Sequence, residues 1–95
     1  MNTKNVPTAK FRCGQLVSTP NALNHLSQDD ILAGIARHQA GDWGDLCEED
    51  RQANDRALTE GTRLLSVYHA ANGTKFWIIT EADLSVTTVL LPEDY

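Results

Sequence analysis

Residues 63–95 read RLLSVYHAANGTKFWIITEADLSVTTVLLPEDY, and three runs within them decide the fold. Leu64, Leu65, Val67 and Tyr68 mark one strand, Phe76, Trp77, Ile78 and Ile79 a second, and residues 86–91 a third, all rich in side chains that suit a pleated surface. Asn72-Gly73 between the first two is a hairpin signal, because both residues tolerate positive φ. The second run is apolar at consecutive positions, hence on both faces, which makes it the central strand. Pro92 has no N–H to give a ladder and closes the third. The expectation is an antiparallel three-stranded meander.

Upstream of it the period changes from two to about 3.6. Gly61 stops a helix over 47–60 whose apolar side is thin, Leu46, Ala53, Ala57 and Leu58, and whose first turn holds Glu48, Glu49 and Asp50, where negative charge complements the helix dipole. A second helix over 28–40 opens at Ser27 with Asp30 three places on, carries Ile31, Leu32, Ile35 and Ala36 on one stripe, and ends at Gly41. Thr19-Pro20 starts a short helical turn with Leu23 and Leu26 inward. Before it, Phe11, Cys13, Gln15 and Val17 alternate with Arg12, Gly14, Leu16 and Ser18 as in a strand over 10–18 whose outer face is partly wet. The expected class is therefore α+β, in the order β-α-α-α-β-β-β, with an antiparallel sheet and the helices packed on one face. Residues 1–9 read as a mobile N-terminal tail and 10–95 as one domain. The other face of the sheet, with Trp77, Ile79 or Tyr68, is one that a second protomer could cover, giving a homodimer.

Composition limits the function classes. The net charge is −5, and all of it falls within residues 41–60, where Asp42, Asp45, Glu48, Glu49, Asp50, Asp55 and Glu60 face only Arg51 and Arg56. An acidic chain without a basic patch disfavours direct nucleic-acid binding. No apolar run approaches the roughly 18 to 20 residues of a membrane span, and MNTKNVPTAK lacks the apolar centre of an export signal, so a cytoplasmic location is expected. Cys13 and Cys47 then read as thiols, and with His25, His38 and His69 they lack the spacing of a structural zinc site. No cofactor motif is present.

The segments GQLVSTPNAL (14–23), HQAGDWGDL (38–46), WIITEAD (77–83) and TTVLLPEDY (87–95) resemble a group of small bacterial proteins carried on plasmids, phages and other mobile elements. The resemblance covers residues 14–95. It implies a mobile-element context and supplies no catalytic residues.

Two polar groups stand out as candidate sites. His38, Asp42, Trp43 and Asp45 share one helix end and loop, where a histidine is held more readily in its charged form and two carboxylates could position a cation or a proton. Thr80, Glu81 and Asp83, with Thr87 and Thr88 across the connection, form the second, so that His38, Glu81 and Asp83 are candidates for a ligand or proton site. Ordinary caps and turns account for the same residues. The leading expectation is a non-enzymatic interaction protein that meets a protein partner through the acidic helix and loop, with Trp43 as anchor and Asp42, Asp45, Glu48, Glu49 and Asp50 around it, for example to inhibit a host defence complex. Two alternatives stand beside it. One is a fold like that of the ribosome-dependent messenger-RNA-cleaving toxins, for which the meander offers only Arg63, His69 and Lys75. The other is a small-molecule or metal sensor built on His38, Asp42 and Asp45.

Overall fold

The structure is a computed structural model and describes residues 9–95; the expected N-terminal tail, Ala9 apart, lies outside the described residues. Four strands and three helices follow one another as β1 (Gln15–Ser18), α1 (Pro20–His25), α2 (Gln28–Gln39), α3 (Glu48–Glu60), β2 (Leu64–His69), β3 (Lys75–Thr80) and β4 (Val86–Leu90). A 3-10 turn over Pro92–Asp94, absent from the expected order, ends the chain.

The class is α+β, but the sheet is mixed and not the antiparallel sheet expected. Its order is β1-β4-β3-β2, with β2, β3 and β4 antiparallel and β1 parallel to β4. The reason lies at the two edges that the meander leaves open. Along β2, Trp43 accepts from Val67 N–H at 3.1 Å and Asp45 N–H donates to Val67 C=O at 2.8 Å. From the second turn of α3, the Asn54 carboxamide donates to Leu65 C=O at 2.6 Å and accepts from Leu65 N–H at 3.3 Å. The β2 edge is thus closed by a loop and a side chain, and β1 takes the edge of β4.

Local chemistry explains the helices. Thr19 Oγ1 accepts from Ala22 N–H with Pro20 in the first turn, and Ser27 Oγ accepts from Asp30 N–H. α3 has no side-chain cap at Cys47 and relies on its three acids and on Gly61, whose N–H donates to Ala57 C=O at 2.9 Å.

The strand register sorts the side chains. Leu64, Ser66 and Tyr68 of β2 share a face with Thr80, Ile78 and Phe76 of β3, and with Thr87 and Val89 of β4. Ala22 of α1 and Leu26 at its C-cap, with Ile31 and Ile35 of α2, pack on Tyr68, Phe76, Ile78 and Val89 there. Trp43, Ala57 and Leu64 form a second cluster at the β2 side, joined by Phe11, Leu46 and Leu58. On the opposite face Val67, Ile79 and Leu90 are buried and the ring of Tyr95 lies 5.5 Å from that of Trp77. Of the three residues that a second protomer was expected to cover, Tyr68 turns to the helical face, Ile79 is buried within the chain and Trp77 is half-buried.

The strand expected over 10–18 shortens to four residues. Gly14 takes φ +65°, and a Cβ there would overlap the carbonyl oxygens of Leu84 and Ser85, so the chain must cross this point in a left-handed conformation. The alternation loses phase: Cys13 is buried, but Leu16 rather than Val17 shares the face of Thr87. The hairpin also differs, because only Gly73 of the Asn72-Gly73 pair has positive φ and the loop closes through Ala70 N–H to Thr74 C=O at 2.8 Å.

Asn54 is buried with both halves of its carboxamide on one residue of the β2 edge. Asn54→Ala should lower the unfolding free energy by roughly 2 kcal/mol, the cost of two partly covered backbone groups left unpaired. Urea denaturation with an unchanged slope checks it, and a change below about 0.5 kcal/mol would show that water replaces the cap.

Candidate functional site

Three polar positions interrupt the apolar face of the sheet, Ser66, Thr80 and Thr87, and none has exposed surface. The register makes them neighbours or near-neighbours across three strands: Thr80 is opposite both Leu64 and Thr87, and Ser66 is opposite Ile78. α2 delivers His38 onto them, with Nδ1 2.5 Å from Ser66 Oγ and Nε2 2.9 Å from Thr80 Oγ1. Thr80 Oγ1 lies 2.7 Å from Thr87 Oγ1, and the Thr87 hydroxyl donates to Cys13 C=O at 2.8 Å.

The proton positions follow by elimination, because a hydroxyl has one hydrogen to give. Thr87 gives its hydrogen to Cys13 C=O, so Thr80 must donate to Thr87, and His38 Nε2–H must donate to Thr80. Nδ1 is then the acceptor and Ser66 Oγ–H donates to it. The result is one directed chain, Ser66 to His38 to Thr80 to Thr87 to the backbone of Cys13, in a setting where each bond polarises the next. Burial pushes the His38 pKa down to about 4, so the ring is neutral at pH 7. The charged form expected at this helix end is therefore corrected: desolvation outweighs the dipole. Phe11 and Trp43 seal the ring, each edge to face, at 5.1 and 5.7 Å between centroids.

A hydroxyl donating to a neutral imidazole is the geometry of an activated nucleophile. Here His38, Ser66 and Thr80 are all fully buried, closed off from solvent. The array pins the end of α2 to three strands and β1's approach.

The other candidate residues are placed apart from this array. Glu81 accepts from Arg63 Nη2 at 3.4 Å on the surface, and Asp83 caps Ser85 N–H at 3.0 Å in the following turn, held below the usual carboxylate range by those Ser85 bonds. Among the described residues no group of three or more His, Cys, Asp or Glu side chains could hold a metal, so neither His38 with Glu81 and Asp83 nor His38 with Asp42 and Asp45 assembles a ligand set. Asp42 receives Arg37 through two nitrogens, at 2.7 and 3.2 Å, which holds its carboxyl low, and Arg37 lies 4.5 Å over the Tyr68 ring. The Tyr68 hydroxyl donates to Asp42 C=O, and burial pushes its pKa up to about 12. Asp45 does not cap α3; it meets His69 Nε2 at 3.1 Å. Trp43 is buried, its Nε1–H donating to Asp55 at 2.9 Å, so the proposed surface anchor is in fact the plug between loop, α3 and β2.

Glu48, Glu49 and Asp50 remain, all exposed, on a helix of which only Asn54 and Ala57 are buried. Of the three basic groups that an RNA-cleaving site would need, His69 faces Lys75 across the hairpin end while Arg63 sits at the far end of β2 with the Tyr95 hydroxyl at 2.9 Å. Six residues of extended chain separate Arg63 from His69 by about 20 Å. Among the described residues no helix is long and apolar enough to cross a membrane.

Thr80 and Thr87 stood in the second polar group, but Ser66, the convergence of all three on His38 and the partnership of Phe11 with His38 escaped the sequence reading. The available signal was polarity at alternate positions of apolar strands, which becomes a cluster only when the register is known.

Two measurements bear on this array. Unfolded histidine titrates near pH 6.5, above the folded value, so the unfolded state binds more protons between about pH 4 and 6.5. The stability associated with His38 is complete above pH 6.5 and is lost as pH falls towards and through about 4; from pH 7 to 4.5 the loss should be about 2 kcal/mol. His38→Gln should be less stable throughout but lack this slope, as read from urea unfolding at each pH. Burial also raises the Cys13 thiol, whereas Cys47 is exposed, so a thiol reagent should modify one cysteine in the native chain and two in denaturant.

Compared with protein-family models, with curated proteins and with solved structures, the chain has no significant match, and the functional reading rests on its own geometry.

Proposed function

We propose that this protein is a non-enzymatic interaction protein whose recognition surface is the outer side of α3 with the loop before it. The observation that carries this reading is a separation of roles. Among the described residues, the polar array with the geometry of a reactive pair is sealed under Phe11 and Trp43, while Glu48, Glu49, Asp50 and Glu60 stand in solvent with no cation paired to them. Asp42 and Asp45 are already engaged by Arg37 and His69, so they shape the loop more than they attract a partner. Trp43 is left out of the surface, and the energetic anchor must come from carboxylates meeting a basic partner.

Residues 41–60 carry the whole net charge of −5, and the rest of the chain is balanced. Such a field steers a basic protein to one side of the molecule and speeds encounter at low salt. In the mobile-element context that the resemblance implies, a host protein with a nucleic-acid-binding groove is a partner of suitable charge, and the acidic helix would occupy the groove in place of phosphates.

Immobilised protein should capture a basic protein from a bacterial lysate at about 50 mM salt and release most of it by about 300 mM. Replacing Glu48, Glu49 and Asp50 by lysine should weaken capture at least tenfold; because these acids also complement the α3 dipole, circular dichroism must show that the helix is retained. Equal capture by the wild type and the triple variant would refute the proposal.

A further inference from the structure

We infer that the open edge of β1 and the apolar groove beside it form the interface of a symmetric dimer with a second copy of this chain. Gln15 and Thr19 N–H groups donate to Ser85 and Val89 C=O, each at 3.0 Å. A parallel ladder engages alternate residues, so 15, 17 and 19 face β4, and Leu16 and Ser18 direct their N–H and C=O groups away from the sheet. Among the described residues no backbone group pairs with either.

Two outward residues flanking one inward residue match themselves under a two-fold axis. With Val17 opposite its own copy in an antiparallel pair, Leu16 faces Ser18 of the second copy and Ser18 faces Leu16. Every outward N–H and C=O of both chains is then paired, and the sheet runs through both. The β2 edge is closed by the 43–45 loop and Asn54, so among the described residues each chain offers one edge, and the pairing stops at two copies instead of growing into a fibre.

The side chains agree with this axis. Leu16 shares the face of Thr87 under the helices, and Leu16, Leu23 and Leu32 are 50%, 60% and 53% exposed around a groove of about 430 Å³ floored by Leu26, Ile31 and Val89. Scattered exposed leucines are ordinary, but three on one groove form a patch. An axis normal to the sheet keeps α1 and α2 of both copies on one side, where these leucines can meet. No residue lining the groove is charged. A second copy of this acidic chain is repelled by residues 41–60 and meets no such charge here, while a basic partner gains no ion pair from it. The interface is small, which suits a reversible dimer.

Sedimentation equilibrium from about 10 μM to 1 mM should show the mass of the full chain rising toward that of two copies. Ser18→Pro removes an N–H that the single chain does not use, and Leu32→Glu places charge in the groove; each should weaken the dimer at least tenfold with unchanged circular dichroism. Val17→Cys, made with Cys47→Ser, should oxidise to a covalent dimer, because Val17 and its copy form a non-hydrogen-bonded pair with Cα atoms about 4.5 Å apart, within reach of a disulfide. A wild-type chain that stays monomeric throughout, a dimer that survives both substitutions, or a dimer that fails to cross-link through position 17 would overturn the inference.

Discussion

A neutral imidazole with no exposed surface holds this small fold together. His38 reaches from the last turn of α2 to a serine of β2 and a threonine of β3, and through Thr80 to Thr87 of β4 and the chain entering β1. A chain of 95 residues has a limited apolar core, and spending part of it on polar atoms is tolerable only when each is bonded. Here each is: no buried side-chain nitrogen or oxygen among the described residues lacks a partner. The directed order of donors also fixes one tautomer and one helix-to-sheet geometry, where apolar contacts alone would permit sliding.

The loop that follows His38 depends on this anchor. Trp43 closes over the imidazole, Arg37 grips Asp42, and the backbone of 43–45 then lies along β2. Gly44 has φ +79° there, and a Cβ would run into Val67 C=O, so only glycine lets the loop approach. The exposed Arg37–Asp42 pair contributes little stability by itself, about 1 kcal/mol or less. Its effect is positional: it holds the approach to α3, and with Asn54 it leaves that helix clamped on one side and free on the other. The surface is thereby divided into an acidic helix, a closed β2 edge and, beside β1, a groove without charged lining residues.

Much of the fold was legible in order along the chain. Thr19-Pro20, Ser27 and Gly61 mark helix ends through local hydrogen-bond chemistry, and the apolar runs of β2, β3 and β4 announce themselves. The acidic charge of α3 is likewise a property of sequence. What misled was residue type taken without depth. His38 near a helix end suggested a charged group and Trp43 in a glycine loop suggested a surface anchor, and both are buried. Glu81 and Asp83 sit one and three residues from Thr80, yet the strand's alternation sends Thr80 inward while those carboxylates stay with Arg63 and the turn.

By itself, then, the sequence determined the elements, their caps and where the charge lies, because these depend on neighbours a few residues apart. Only the tertiary structure decided that β1 joins β4 in parallel, that Ser66, Thr80 and Thr87 converge on His38, and that the β2 edge is closed by the 43–45 loop and Asn54. Those outcomes rest on pairing register and on contacts between residues up to 74 apart, Thr87 with Cys13 among them, which no local pattern encodes.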